Sequence, residues 1–121
     1  MAETFAQMEQ RAISSAHAVS AVEALEILDN DPDALLLDVR EPWEYAICKL
    51  EGSELVPMRQ IPAFAAQLDP QQDIVVICHH GIRSKAVCDY LEQQHGYTRL
   101  INLEGGVDAW AKQQDSSMAT Y

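Results

Sequence analysis

The chain has 121 residues, 48% of them apolar, a size and composition that suit one domain around one core. No apolar run approaches the ~18 residues of a membrane span. A formal net charge of -11 argues against a nucleic-acid partner, whose phosphates would be repelled.

The opening stretch, MAETFAQMEQRAISSA, lacks a basic region followed by an apolar one. No secretory leader is therefore expected, and the cytoplasm is the expected address. A short strand is expected near Ile13, followed by a helix within SSAHAVSAVEALEIL that carries Leu25 and Leu28 on one face and stops at the polar run 29–33. LLLDV (35–39) reads as a strand buried on both faces. EPWEYAI (41–47) opens with an acid and a proline, suited to the first turn of a helix. SELVP (53–57) is a weak strand, and RQIPAFAAQL (59–68) a short helix with Pro62 in its first turns.

IVVIC (74–78) is the strongest strand of the chain. SKAVCDYLEQQ (84–94) is an amphipathic helix with Ala86, Val87, Tyr90 and Leu91 on its apolar side. RLINL (99–103) is a strand, and VDAWAKQ (107–113) a final helix after the Gly105–Gly106 turn. QQDSSMATY is expected to fray. Trp43, Tyr45 and Trp110 are expected to pack between helices and sheet. Strands alternate with helices, which argues an α/β fold with a mainly parallel sheet covered on both faces. Ligands of such sheets sit beyond the carboxyl ends of the strands, where Cys78 lies.

Charge and cysteines point to the same place. Residues 1–54 hold twelve acids and three bases, whereas 78–88 hold Arg83, Lys85 and no acid. Three cysteines, Cys48, Cys78 and Cys88, with no close pair are not a disulfide framework, and the absence of C-x-x-C argues against zinc. Cys78, His79 and His80 are consecutive, so their side chains should diverge rather than share a metal.

The stretch CHHGIRS (78–84) has the parts of an anion cradle. A helix expected to start near Ser84 turns unsatisfied N–H groups and its positive end toward the loop. Gly81 can adopt positive φ and let successive amides point inward as a nest. Arg83 and Lys85 add positive charge, and Ser84 can cap the helix. A cysteine closing an apolar strand is as often a small buried hydrophobe. The offsets of Gly81, Arg83 and Ser84 favour the cradle. Cys88 lacks such surroundings and reads as a packing residue. His79 and His80 read equally as loop residues or as groups that help bind the anion.

CHHGIRS resembles the active-site loop of the rhodanese family of sulfurtransferases. The likeness extends over roughly Ile13 to Lys112. LLDVREPWEY resembles the family's strand and acidic turn, with Asp38 and Arg40 at recurring positions, and NLEGGVDAW resembles its C-terminal signature, with Gly105, Gly106 and Trp110. The resemblance implies a single rhodanese-like domain over 1–121, with its core at about 13–112 and a frayed tail at 113–121. It also implies a five-stranded, mainly parallel sheet flanked by helices on both faces.

For function it implies sulfane-sulfur transfer of the thiosulfate:cyanide sulfurtransferase type, with Cys78 carrying the sulfur as a persulfide. The backbone of His79, His80, Gly81, Ile82, Arg83 and Ser84 would cradle the outer sulfur and the donor's oxyanion, with Arg83 complementing the charge. Asp38 and Arg40 have a supporting place, favoured as a structural ion pair. Four residues separate Cys78 from Arg83. The family's phosphatases and arsenate reductases have five, and the shorter loop goes with sulfur substrates. Cys48 and Lys49 stand where the family usually has glycine and histidine, which bears on turn geometry more than on chemistry.

The implied partners are a small sulfur donor such as thiosulfate and a thiol or cyanide acceptor. The competing reading is a relay module that takes sulfur from a protein persulfide and passes it to another protein. No cofactor, metal, nucleic acid or membrane is expected.

Overall fold

A computed structural model describes residues 17–69, 71–115 and 117–121, and of His17 the backbone alone. The apolar runs become strands β1 (His17–Val19), β2 (Leu35–Asp38), β3 (Glu54–Leu55), β4 (Ile74–Ile77) and β5 (Leu100–Leu103). Between them lie helices α1 (Ala21–Asn30), α2 (Pro42–Ile47), α3 (Ile61–Ala65), α4 (Ile82–His95) and α5 (Gly106–Gln113), with a 3-10 turn at Met58–Gln60 before α3. The strands form one sheet in the order β1-β5-β4-β2-β3, and every pairing is parallel. Among the described residues, no helix is long and apolar enough to cross a membrane.

Alternation along the strands builds a core on each face. Leu37, Ile74, Val76, Cys78 and Leu100 point to one side, against Ile61 and Ala65 of α3 and Val87, Cys88 and Leu91 of α4. Leu36, Val75, Ile77, Ile101 and Leu103 point to the other, against Ala24 of α1 and Val107 of α5. The central strand β4 is buried at all four positions, which is why its sequence is unbroken Ile and Val. Burial also pushes the Cys88 thiol up to about 12 and leaves it a packing group, as expected.

Several boundaries differ from the sequence reading. The strand expected near Ile13 lies outside the described residues. Residues 17–19, expected within the first helix, pair with β5 instead. The helix starts only at Ala21, because Ser20 caps it: the Ser20 hydroxyl accepts from the Glu23 amide while the Glu23 carboxylate accepts from the Ser20 amide. On α4 the buried side is Ser84, Val87, Cys88, Leu91 and Glu92, while Ala86 is exposed and Tyr90 half-buried. Trp43, expected to pack, is 61% exposed because α2 lies at the rim of the sheet.

Part of the segment expected to fray is packed. Met118 and Tyr121 pack on the α1–α5 face, and the Tyr121 ring returns to the carboxyl end of the sheet. Its partners there are buried polar groups, and they give an aromatic hydroxyl the contacts that a surface tail lacks.

Candidate active site

Cys78 directly follows β4 at the carboxyl end of the sheet and is 1% exposed. Three groups converge on its sulfur, two of them amide donors. The Gly81 amide lies 3.0 Å away, the Ser84 amide 3.4 Å and the Ser84 hydroxyl oxygen 3.3 Å. Gly81 takes φ +95 as the N-cap of α4, the positive-φ role expected of it. The helix begins two residues earlier than expected, so Ser84 is not the cap. It sits inside the first turn, fully buried, and aims its hydroxyl at the sulfur. That hydroxyl donates to Asn102 Oδ1, so its oxygen is left to accept from the Cys78 thiol. Asn102 Nδ2 in turn donates to the Gly81 carbonyl over 3.1 Å and pins the loop from beneath.

The Gly105–Gly106 turn clamps the same loop from the side. The Val107 amide donates to the Cys78 carbonyl (2.9 Å) and the Asp108 amide to the His79 carbonyl (3.1 Å). Gly106 sits so close that a Cβ there would lie 2.2 Å from the Cys78 carbonyl oxygen and 2.4 Å from that of His79, at φ +61. Gly106→Ala is therefore expected to cost about 2–4 kcal/mol and to push the cysteine loop off its amides. Thermal denaturation and the rate of sulfur loading on Cys78 check this, and a variant as stable and as fast as wild type would show that the clamp is soft.

Arg83 does not face the sulfur unaccompanied. Its two terminal nitrogens make a bidentate pair with Glu44, at 2.6 and 2.7 Å. Glu44 is 3% exposed. The Arg83 guanidinium holds its carboxyl down at about 2 against the opposing effect of burial, aided by the Glu41 amide and the Tyr121 hydroxyl. Burial pushes the Tyr121 phenol up to about 12, so it donates to Glu44 (2.7 Å) as a neutral hydroxyl while accepting from Arg40 (2.8 Å).

Arg40 and Asp38, both 0% exposed, form a buried ion pair behind the site. Arg40 Nε donates to both Asp38 oxygens and Nη2 to the Asp38 carboxylate and the Cys48 carbonyl, at 2.8 and 2.6 Å. They form the ion pair that the sequence reading favoured. Cys48 is buried and ends α2 with extended backbone, while Lys49 is exposed and its ammonium lies over the Tyr45 ring.

His79 is stacked between His80 (ring centroids 4.0 Å) and Tyr121 (3.9 Å). Burial, then the neighbouring His80, lowers its pKa and favours neutral imidazole. The consecutive histidines thus do not diverge: with Asp108 they form a group whose ligand atoms lie within 4.8 Å. The two rings stack at an interplanar angle of 23°, and Lys112 pairs with Asp108 at 2.9 Å. Ile82, which opens α4 directly after Gly81, is 78% exposed.

Three residues of the site were missed from the sequence. Asn102 left a signal, since an amide inside an otherwise apolar strand needs partners. Glu44 and Tyr121 left none, because they reach the site across 39 and 77 residues.

The comparisons agree with this geometry. The family model of the rhodanese-like domain matches residues 20–113. A sulfurtransferase of Allochromatium vinosum is 40% identical over 85 residues, covering 70% of this chain and 78% of its own. A thiosulfate sulfurtransferase of Pseudoalteromonas translucida is 32% identical over 92 residues, covering 76% and 86%. The crystal structure of a rhodanese-related protein from Thermoplasma volcanium superposes with a TM-score of 0.70 at 28% identity, covering 81% of this chain and 93% of that one.

Proposed function

The chain belongs to the rhodanese-like domain family, and on that ground we propose that it is a single-domain cytoplasmic sulfurtransferase that carries sulfane sulfur as a persulfide on Cys78. The observation that carries the reading is the convergence of the Gly81 amide and the Ser84 amide on one buried sulfur. Such donors stabilise an anion, and both the thiolate and the persulfide it becomes are anions. The first-turn amides of Ile82 and Arg83 have no carbonyl one turn behind them, and they extend the cradle toward the outer sulfur.

In the first half-reaction the Cys78 thiolate attacks the outer sulfur of a donor. A new S–S bond forms, the donor's own bond to that sulfur breaks, and the electron pair leaves with sulfite or a thiolate. In the second, an acceptor thiolate or cyanide attacks the outer sulfur and the Cys78 thiolate is restored. The exchange balances without a redox cofactor or a metal. The six residues 79–84 bind the anions through their backbone, and Asp38 and Arg40 hold the strand end that faces them.

Intact mass tests this. Incubation with thiosulfate, or separately with cysteine persulfide, is expected to add about 32 Da, one sulfur atom, and cyanide is expected to remove it. A chain that neither donor loads is not a sulfur carrier.

A further inference from the structure

The loop sequence promises a cation for the donor's negative charge, yet the structure spends that cation on a buried carboxylate. Attack on thiosulfate brings a thiolate and a dianion together, three negative charges in one cradle. Attack on a protonated persulfide, R–S–SH, brings together one: the thiolate takes the outer sulfur, a Cys78 persulfide forms, and R–S⁻ leaves. Arg83 is the cation of the loop. Its charge is matched by Glu44, which is ionised at neutral pH and 3% exposed.

The other charges near the mouth do not replace it. Lys85 pairs with Asp89 and Lys112 with Asp108, each within its own helix. His79 is biased to the neutral form. The rim instead carries apolar surface: Ile82 follows Gly81 at 78% exposure, and Trp43, 61% exposed, stands edge-on to the Tyr121 ring that covers His79. Apolar rim and neutralised cation suit a donor with a carbon skeleton and little charge at its reactive sulfur.

We propose that Glu44 sets the donor class of this site: by pairing with Arg83 it disfavours inorganic dianions such as thiosulfate and favours organic persulfides, RSSH. The proposal rests on Cys78 being the sulfur carrier. Glu44 does not touch the donor; it is a positioning residue that acts through Arg83.

The test compares the rate of the 32 Da gain from thiosulfate and from cysteine persulfide. Wild type is expected to load faster from cysteine persulfide. Glu44→Gln frees the Arg83 charge, and the thiosulfate rate is expected to rise about tenfold, the size for one charge acting on a dianion across a half-exposed site. The persulfide rate should stay within about threefold, since only one charge is at stake there. An unchanged ratio of the two rates, or an equal loss for both donors, overturns the proposal, because a scaffold defect moves both together. Glu44→Gln combined with Arg83→Gln keeps the pair neutral and should return the ratio to near wild type. It serves alone if the single variant does not fold, and a ratio shifted about tenfold in it overturns the proposal. If neither donor loads wild type, the persulfide reading of Cys78 falls, and this proposal with it. Loading with an unmoved ratio removes this proposal alone.

Discussion

Cys78→Ser is expected to abolish sulfur loading, with a fall of at least about a thousandfold in transfer rate and no 32 Da adduct from any donor. A serine hydroxyl at neutral pH is not the nucleophile that a thiolate is, and the cradle donates to an anion it would no longer hold. The fold should survive. The site already offers the amides of Gly81 and Ser84 to a small polar atom, so serine keeps hydrogen-bond partners in a position 1% exposed. Its effect on stability is expected to stay within about 1 kcal/mol, checked by thermal denaturation. Cys88→Ala should retain loading, since that thiol is fully buried and pushed up to about 12. An adduct that persists in Cys78→Ser would place the sulfur on another cysteine and end the reading.

Asp38→Asn carries the largest expected loss of stability, about 3–5 kcal/mol, or a fall in Tm of roughly 10–20 °C. Removing the carboxylate leaves the Arg40 guanidinium 0% exposed and without its charge partner. Its remaining contacts, the carbonyls of Glu44 and Cys48 and the Tyr121 hydroxyl, are dipoles and not a countercharge. The damage should reach the active site through Tyr121, which links Arg40 to Glu44 and so to Arg83. Urea unfolding measures the first effect, and the loading rate well below the new Tm measures the second. A loss under about 1 kcal/mol would mean that Arg40 finds water or another carboxylate after a small rearrangement.

The residues that were legible in the sequence share a property: their role depends on their immediate neighbours. IVVI reads as a central strand because only a position buried on both faces accepts four apolar residues in a row. Gly81 reads as a positive-φ turn because only four residues separate the strand end at Ile77 from the helix start at Ile82. Cys78 reads as the centre of the loop because its amide donors come from residues 81 and 84, close to it in sequence. Ser84 shows the limit of such reading. The right residue was singled out for the wrong contact, because a two-residue error in the helix start converts a cap into a buried hydroxyl donor to Asn102.

By itself the sequence determined a parallel α/β framework, the cysteine at the end of its central strand and the glycine turn that leads from it into the next helix. Periodicity and contiguous turns act over a few residues, and a few residues are enough to express them. The tertiary structure alone decided what surrounds that loop: Glu44 on Arg83, Asn102 beneath Gly81, Gly106 against the Cys78 carbonyl, and Tyr121 folded back onto His79. The physical reason is that the effect of a charge pair, a close approach or a ring stack depends on distance and burial. Residues 39 or 77 positions apart acquire those only when the sheet brings them to one edge.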